Sequence, residues 1–317
     1  MSKMSTDPVR HALSGPTMGT RWSALFWAEP GFDVARIRSG LQAAVDEVDA
    51  QMSIWKTDSA LMLLNRAPIG AAVPIPAMLE QVLQLGVAIG KASGGAFDMG
   101  VGDAVSAWGF GPGSASQDSI RAAMSARRVS AVEALAFGQG TVTKRTAIML
   151  DLNGIAKGVG VDRLAESLSA FGVRDALVGI DGEMRAMGHR PDAQPWTVAV
   201  EKPDPDRRAP HSVLALTNCA VATSGDYRHF VTVDGRRLSH TIDPKRGAPL
   251  LQPPASVTVI APSCAVADAW ATALMVLGPA EGSALARKIG LEALFLLCDE
   301  RDTVRARGVG NSFVHAA

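Results

Sequence analysis

The order of elements along the chain predicts an α+β fold rather than a doubly wound parallel sheet. Three observations carry that reading. A clear amphipathic helix lies near the N-terminus, hairpin-type strands dominate the second half, and no regular strand–helix–strand rhythm joins them.

Residues 1–17 read as a polar tail and residues 18–317 as a single domain, which opens on a strand-like segment at 20–27. Val34, Ile37, Leu41, Val45, Val48 and Met52 then recur at steps of three and four, the spacing of one helix face. A second helix is expected over 77–91, with Pro76 at its start and Gly94-Gly95 past its end. The glycine-rich stretch 93–113 carries Phe97, Trp108 and Phe110 and reads as a loop shaped around a ligand. Residues 150–152 are extended, Asn153-Gly154 turns, and Val161, Leu164, Leu168 and Phe171 line a helix that Gly172 stops. Strands follow at 175–180, 196–201 and 213–216, with a hairpin of 230–233 and 236–240 around Asp234-Gly235. After a strand at 255–260, Ser263 can cap a helix carrying Asp268 and Thr272. A helix at 280–289 and a strand at 293–298 close the fold, and the charged, Pro-rich stretch 202–210 reads as a surface excursion.

Composition narrows the function classes. Lys+Arg and Asp+Glu both total 31, so no basic surplus points to nucleic acid, and 5% aromatic residues give no stacking platform for bases. Cys219, Cys264 and Cys298 are widely spaced and sit in apolar runs, which suits small buried thiols rather than a disulfide framework. No run of 18 apolar residues predicts a membrane span, and the polar residues 1–20 offer no signal-type apolar core. As written, the chain reads as cytoplasmic; an exported form whose signal had been removed would look the same.

Several constellations can carry chemistry. Asp268 and Thr272 stand four apart, on one helix face. A carboxylate with a hydroxyl is hard-cation chemistry, of the kind that holds Mg²⁺ beside a phosphate. The alternative is a polar stripe on a half-buried helix, but the small residues around them at 265–273 imply a close neighbour, and a charge there is costly unless paired. His240, at the end of a hairpin strand, can take a proton from a hydroxyl or be structural, and Asp243 suits a turn cap. Asp151-Leu152-Asn153-Gly154-Ile155-Ala156-Lys157-Gly158 is a strand-to-helix turn whose backbone amides favour an anion, though it lacks Walker A spacing. Thr223-Ser224-Gly225-Asp226-Tyr227 offers hydroxyls beside glycine, or is only a strand end. Neither a GxSxG elbow nor an HExxH pair occurs.

In order, Met18-Gly19-Thr20, Met52-Ser53-Ile54-Trp55 with Asp58-Ser59, Gly95-Ala96-Phe97-Asp98, Trp108-Gly109-Phe110, the 151–158 turn with Asp162, the Thr223–Tyr227 segment, His240-Thr241-Ile242-Asp243-Pro244 and residues 267–272 resemble the ApbE family. Its members are FAD:protein FMN transferases. The resemblance implies a T-fold-like mixed, largely antiparallel sheet with packed helices. It also implies a Mg²⁺-dependent reaction in which a Thr or Ser hydroxyl of an acceptor protein takes FMN from FAD and AMP leaves. By the same resemblance Asp268, Thr272 and the Ala156 carbonyl hold the metal, and His240 takes the hydroxyl proton. Met18, Trp55, Ala96, Phe97, Asp98, Gly154, Lys157 and Ile242 match positions that contact FAD. The chain departs from the family at Gly179-Ile180-Asp181-Gly182, where an extra carboxylate enters a turn that usually has paired glycines, at Asp98-Met99, which lacks the usual threonine, and at Ala271, where some members have an acid. Two rivals share the same residues: an FAD pyrophosphatase giving FMN and AMP, and a non-catalytic FAD-binding protein.

Overall fold

The computed structural model describes residues 8–204, 207–226, 230–233, 236–299 and 303–313. Its centre is an eight-stranded sheet: β1 (Val9–Thr17), β2 (Thr20–Ala28), β3 (Ala176–Ile180), β4 (Glu183–Met187), β5 (Ala220–Gly225), β6 (Ser256–Ala261), β7 (Glu292–Cys298) and β8 (Val304–Val309). The strands lie side by side in chain order and every neighbouring pair is antiparallel. The expected α+β class and largely antiparallel sheet are therefore present. Helices enter as insertions: α1 (Val34–Met52), α2 (Ala77–Ala92) and α3 (Ala156–Ala170) between β2 and β3, and α4 (Cys264–Ile289) between β6 and β7.

Strand alternation explains the layering. Trp22, Ala24 and Phe26 on β2, with Ala176, Val178 and Ile180 on β3, pack with Ile37, Leu41 and Val45 of α1 and Val161, Leu164 and Leu168 of α3. The intervening Leu25, Trp27 and Leu177 face the other way, onto a hairpin of Trp196–Glu201 and Pro210–Leu216 whose Trp196 ring lies 5.7 Å from that of Trp27. Apolar burial on both faces is the main stabilising term, since each fully buried large side chain is worth about 1.5–3 kcal/mol.

Several expectations are corrected. Residues 9–17 are not a tail but β1, paired along its whole length with β2. An edge strand with most outer residues exposed lacks the apolar alternation that would reveal it. Its turn, Met18-Gly19, has positive φ at both positions (45° and 71°), as a two-residue type I′ hairpin requires. The stretch 93–113 is not an open loop: it contains a 3₁₀ turn at Met99–Val101 and a helix at Gly102–Ala107. Residues 150–152 join no ladder. Instead the Asn65 side chain bonds both main-chain groups of Leu150 (2.8 and 2.9 Å), and Asp151 N donates to Met99 O at 2.8 Å. The two helices expected around 264–289 form one element broken at Gly278 (φ 72°), just before Pro279. Cys264 is buried, Cys219 half-buried and Cys298 exposed, so the buried-thiol expectation fails for the last. Tyr227 and the Asp234-Gly235 turn lie outside the described residues; their flanking strands Phe230–Val233 and Arg236–Ser239 pair as expected. Among the described residues no helix is long and apolar enough to cross a membrane.

Candidate active site

The N-terminal turns of α3 and α4 meet closely. Ser263 caps α4 by accepting from Val266 N, and Asp162 of α3 accepts from the N–H groups of Cys264 and Ala265, each at 2.9 Å. Asp162 is itself held by Arg185 of β4 at 2.6 Å. A Cβ on Gly158 would lie 2.4 Å from the Cys264 carbonyl oxygen, so only glycine allows this approach. Gly158→Ala is expected to lower stability by about 1–3 kcal/mol through overpacking, read as a shift in the denaturant midpoint at constant m.

This junction fixes the two residues on the α4 face. Asp268 is buried, and its Oδ2 accepts from Gly158 N–H at 3.0 Å. One turn on, Thr272 Oγ1 lies 3.0 Å from where a Gly154 Cβ would stand and 3.3 Å from Ser224 Oγ. Thus the 154–158 turn meets α4 at both ends, which places the main chain around Ala156 between the Asp268 and Thr272 contacts. Phe97 approaches Gly154 as well, with its Cε2 3.4 Å from the same Cβ position. Met18 reaches α3 at Gly160, whose Cβ position is 3.1 Å from Met18 Cε.

The electrostatics are those of a mostly acidic cluster around a buried carboxylate. Burial pushes the Asp268 carboxyl up to about 6, against the pull of the Lys157 charge and the Gly158 N–H. Burial also works to discharge Lys157, but Glu183, Asp268 and Asp181 together outweigh it and hold the ammonium charged. Lys157 Nζ lies 2.9 Å from Glu183 Oε1 and 3.7 Å from Asp181 Oδ2. Among the described residues no three His, Cys, Asp or Glu side chains form a metal cluster. The donors gathered here are instead the Asp268 carboxylate and the Thr272 and Ser224 hydroxyls, beside the main chain at Ala156. An oxygen set around a buried carboxylate fits a hard divalent cation.

His240 belongs to a second group. Its ring meets Phe110 edge-on at 6.3 Å, and Ile242 is buried with Val105, Trp108 and Ala248. Trp108 Nε1 donates to Gly247 O at 2.9 Å, and Asp243 closes its turn by accepting from Lys245 N at 2.9 Å. The 97–110 segment therefore links the two groups, with Phe97 at the Thr272 end and Phe110 at His240.

A model of the ApbE family matches residues 18–295 of the chain. The chain belongs to the ApbE family. Among curated relatives, the FAD:protein FMN transferase of Vibrio cholerae is 36% identical over 290 residues, covering 90% of this chain and 86% of the relative. That of Escherichia coli K12 is 33% identical over 303 residues, covering 92% and 85%. The structure of the flavin transferase ApbE from Vibrio cholerae superposes with a TM-score of 0.85 at 32% identity, covering 96% of this chain and 98% of that one.

Within this ApbE chain the structure brings Phe97, Gly154, Lys157, Asp268 and Thr272 together, with the main chain at Ala156 and with Met18 reaching α3 at Gly160. Ala96 is buried next to Phe97. One Asp98 oxygen is committed to Gly100 N (2.8 Å) and Ala131 N (3.0 Å), so that residue shapes the segment. Trp55, three residues past the end of α1, is 64% exposed, a surface open to stacking. Two residues escape sequence reasoning. Asn65 straps Leu150, and Glu183 holds Lys157; a carboxylate on the sheet face shared with Ile180 was the available signal for the second.

Asp151 opens the turn from a buried position, with its Oδ1 accepting from Asn153 N at 2.8 Å. Burial raises its carboxyl to about 6. The folded state then binds the proton more tightly than the unfolded one, so this group's contribution is full below pH 4 and is lost as pH rises through 6. Asp151→Asn is expected to gain up to about 3 kcal/mol over wild type between pH 4 and pH 8. Thermal unfolding at both pH values measures the difference.

Proposed function

We propose that the chain is a Mg²⁺-dependent FAD:protein FMN transferase that attaches FMN through a phosphoester to a Thr or Ser hydroxyl of an acceptor protein. The observation that carries this reading is the lock between the 154–158 turn and the α4 pair, with Asp268 bonded to Gly158 N–H and Thr272 against Gly154. The turn offers Lys157 to an anion beside oxygen donors for a cation, the arrangement a pyrophosphate demands, while the turn amides at Asn153, Ile155, Ala156 and Gly158 are already bonded within the protein.

Asp268, Thr272 and the Ala156 carbonyl would hold Mg²⁺, which when bound neutralises charge on the pyrophosphate and leaving group. Lys157 orients the phosphates. Phe97, Ala96, Gly154 and Met18 shape the nucleotide site, Ile242 and Asp98 support its walls, and Trp55 supplies an exposed ring for stacking, worth about 1–3 kcal/mol. His240 takes the acceptor hydroxyl proton as the new oxygen–phosphorus bond forms on the FMN side. The bond to the bridging oxygen breaks and AMP departs with that oxygen.

Incubating the protein with FAD, Mg²⁺ and a threonine-containing acceptor peptide tests the reading. A peptide heavier by one FMN phosphoester, appearing with AMP, is expected. AMP with unmodified peptide would favour a pyrophosphatase, and bound FAD without AMP a binding protein.

A further inference from the structure

Lys157 faces two carboxylates from one hairpin turn, and they differ in kind. Glu183, the first residue of β4, has a side chain only 3% exposed and bonds Lys157 Nζ through Oε1 at 2.9 Å. Asp181, two residues earlier, is 49% exposed and stands 3.7 Å away. Opposite charges that share a dry environment and a hydrogen bond are strongly coupled, whereas a half-exposed pair at that distance is screened by water. Register fixes the buried partner. Glu183 pairs with Ile180 across the turn and shares its sheet face toward α3, the helix whose second residue is Lys157. The second Glu183 oxygen is buried with no hydrogen-bond partner among the described residues, so the carboxylate's one direct commitment there is to Lys157.

We infer that Glu183 is a positioning residue for FAD: it anchors the Lys157 ammonium at the 154–158 turn so that the charge already stands where the pyrophosphate docks. The inference rests on the reading of Lys157 as an FAD-binding residue. Although the Lys157 side chain is 32% exposed, the bond to buried Glu183 holds its ammonium at the turn, and less side-chain freedom is left to lose on binding. Asp181 is too exposed to do the same.

The test is a double-mutant cycle read as FAD affinity, by quenching of flavin fluorescence with Mg²⁺ present, alongside melting midpoints. Lys157→Gln is expected to weaken FAD binding at least tenfold. Glu183→Gln, which keeps the shape and loses the charge, is expected to weaken it about tenfold. In the Lys157→Gln background the same Glu183 change is expected to cost less than twofold, because an effect exerted through Lys157 disappears with it. Asp181→Asn is expected to stay within twofold of wild type. Equal Glu183→Gln losses in both backgrounds, or unchanged affinity with Lys157 intact, would overturn the inference. So would a lowered melting midpoint with FAD affinity intact, the mark of a purely structural residue. Unchanged affinity in Lys157→Gln itself would instead sink the reading of Lys157. If Glu183→Gln does not fold at assay temperature, Glu183→Asp keeps the charge but draws it back, and a loss of several-fold is expected; no loss would overturn the inference.

Discussion

Asp268→Asn is expected to lower FMN transfer by about 10³-fold, the scale of several kcal/mol of charge stabilisation supplied by a bound metal. The same substitution should leave thermal stability at pH 8 unchanged or raised. Asp268 is buried, and burial has already pushed its carboxyl up to about 6. A group whose folded value is raised gives its full contribution at low pH and loses it as pH rises through that value. At pH 8 the ionised carboxylate therefore burdens the apo fold, and an amide relieves it while still accepting from Gly158 N–H. Activity lost together with stability gained marks a residue kept for function. Transfer assays over a Mg²⁺ titration, with melting curves in EDTA, check both halves. Transfer that survives in Asp268→Asn would remove this carboxylate from the metal site.

His240→Ala is expected to reduce transfer by about 10²–10⁴-fold, the usual range for a general base, with FAD affinity within about twofold of wild type. The split follows from the layout. The lysine, the α4 pair and the 154–158 turn form one group, whereas His240 sits with Phe110 and Ile242 in another, at the far end of the 97–110 segment. On the proposed reading, a nucleophile brought by the acceptor enters between them. Single-turnover measurement of FMN transfer, beside an FAD titration, separates the effects. A loss of FAD affinity equal to the loss of rate would make His240 a binding residue instead.

Much of this site was legible in the sequence because its parts are short-range patterns. The i, i+4 spacing of Asp268 and Thr272, the Ser263 cap and the small residues at 265–273 described a helix that something approaches, and the structure supplies Gly158 and Gly154 as that neighbour. The α1 pattern was equally plain because one face is buried along its length. What stayed hidden depends on distant partners. β1 and β8 are edge strands, so each lacks a second neighbour to bury its outer side. The short helices at 99–107 are built partly from Gly, whose helix propensity is low, and tertiary contacts override it. Glu183 acquires its meaning only when the sheet folds onto α3, twenty-six positions away from Lys157 in sequence.

The most direct test of the account is a crystal soaked with Mn²⁺ and FAD, with anomalous scattering used to place the metal. One peak is expected within about 2.2 Å of an Asp268 carboxylate oxygen, Thr272 Oγ1 and the Ala156 carbonyl oxygen, touching the pyrophosphate. A metal bound elsewhere, with the α4 pair left outside its coordination sphere, would contradict it.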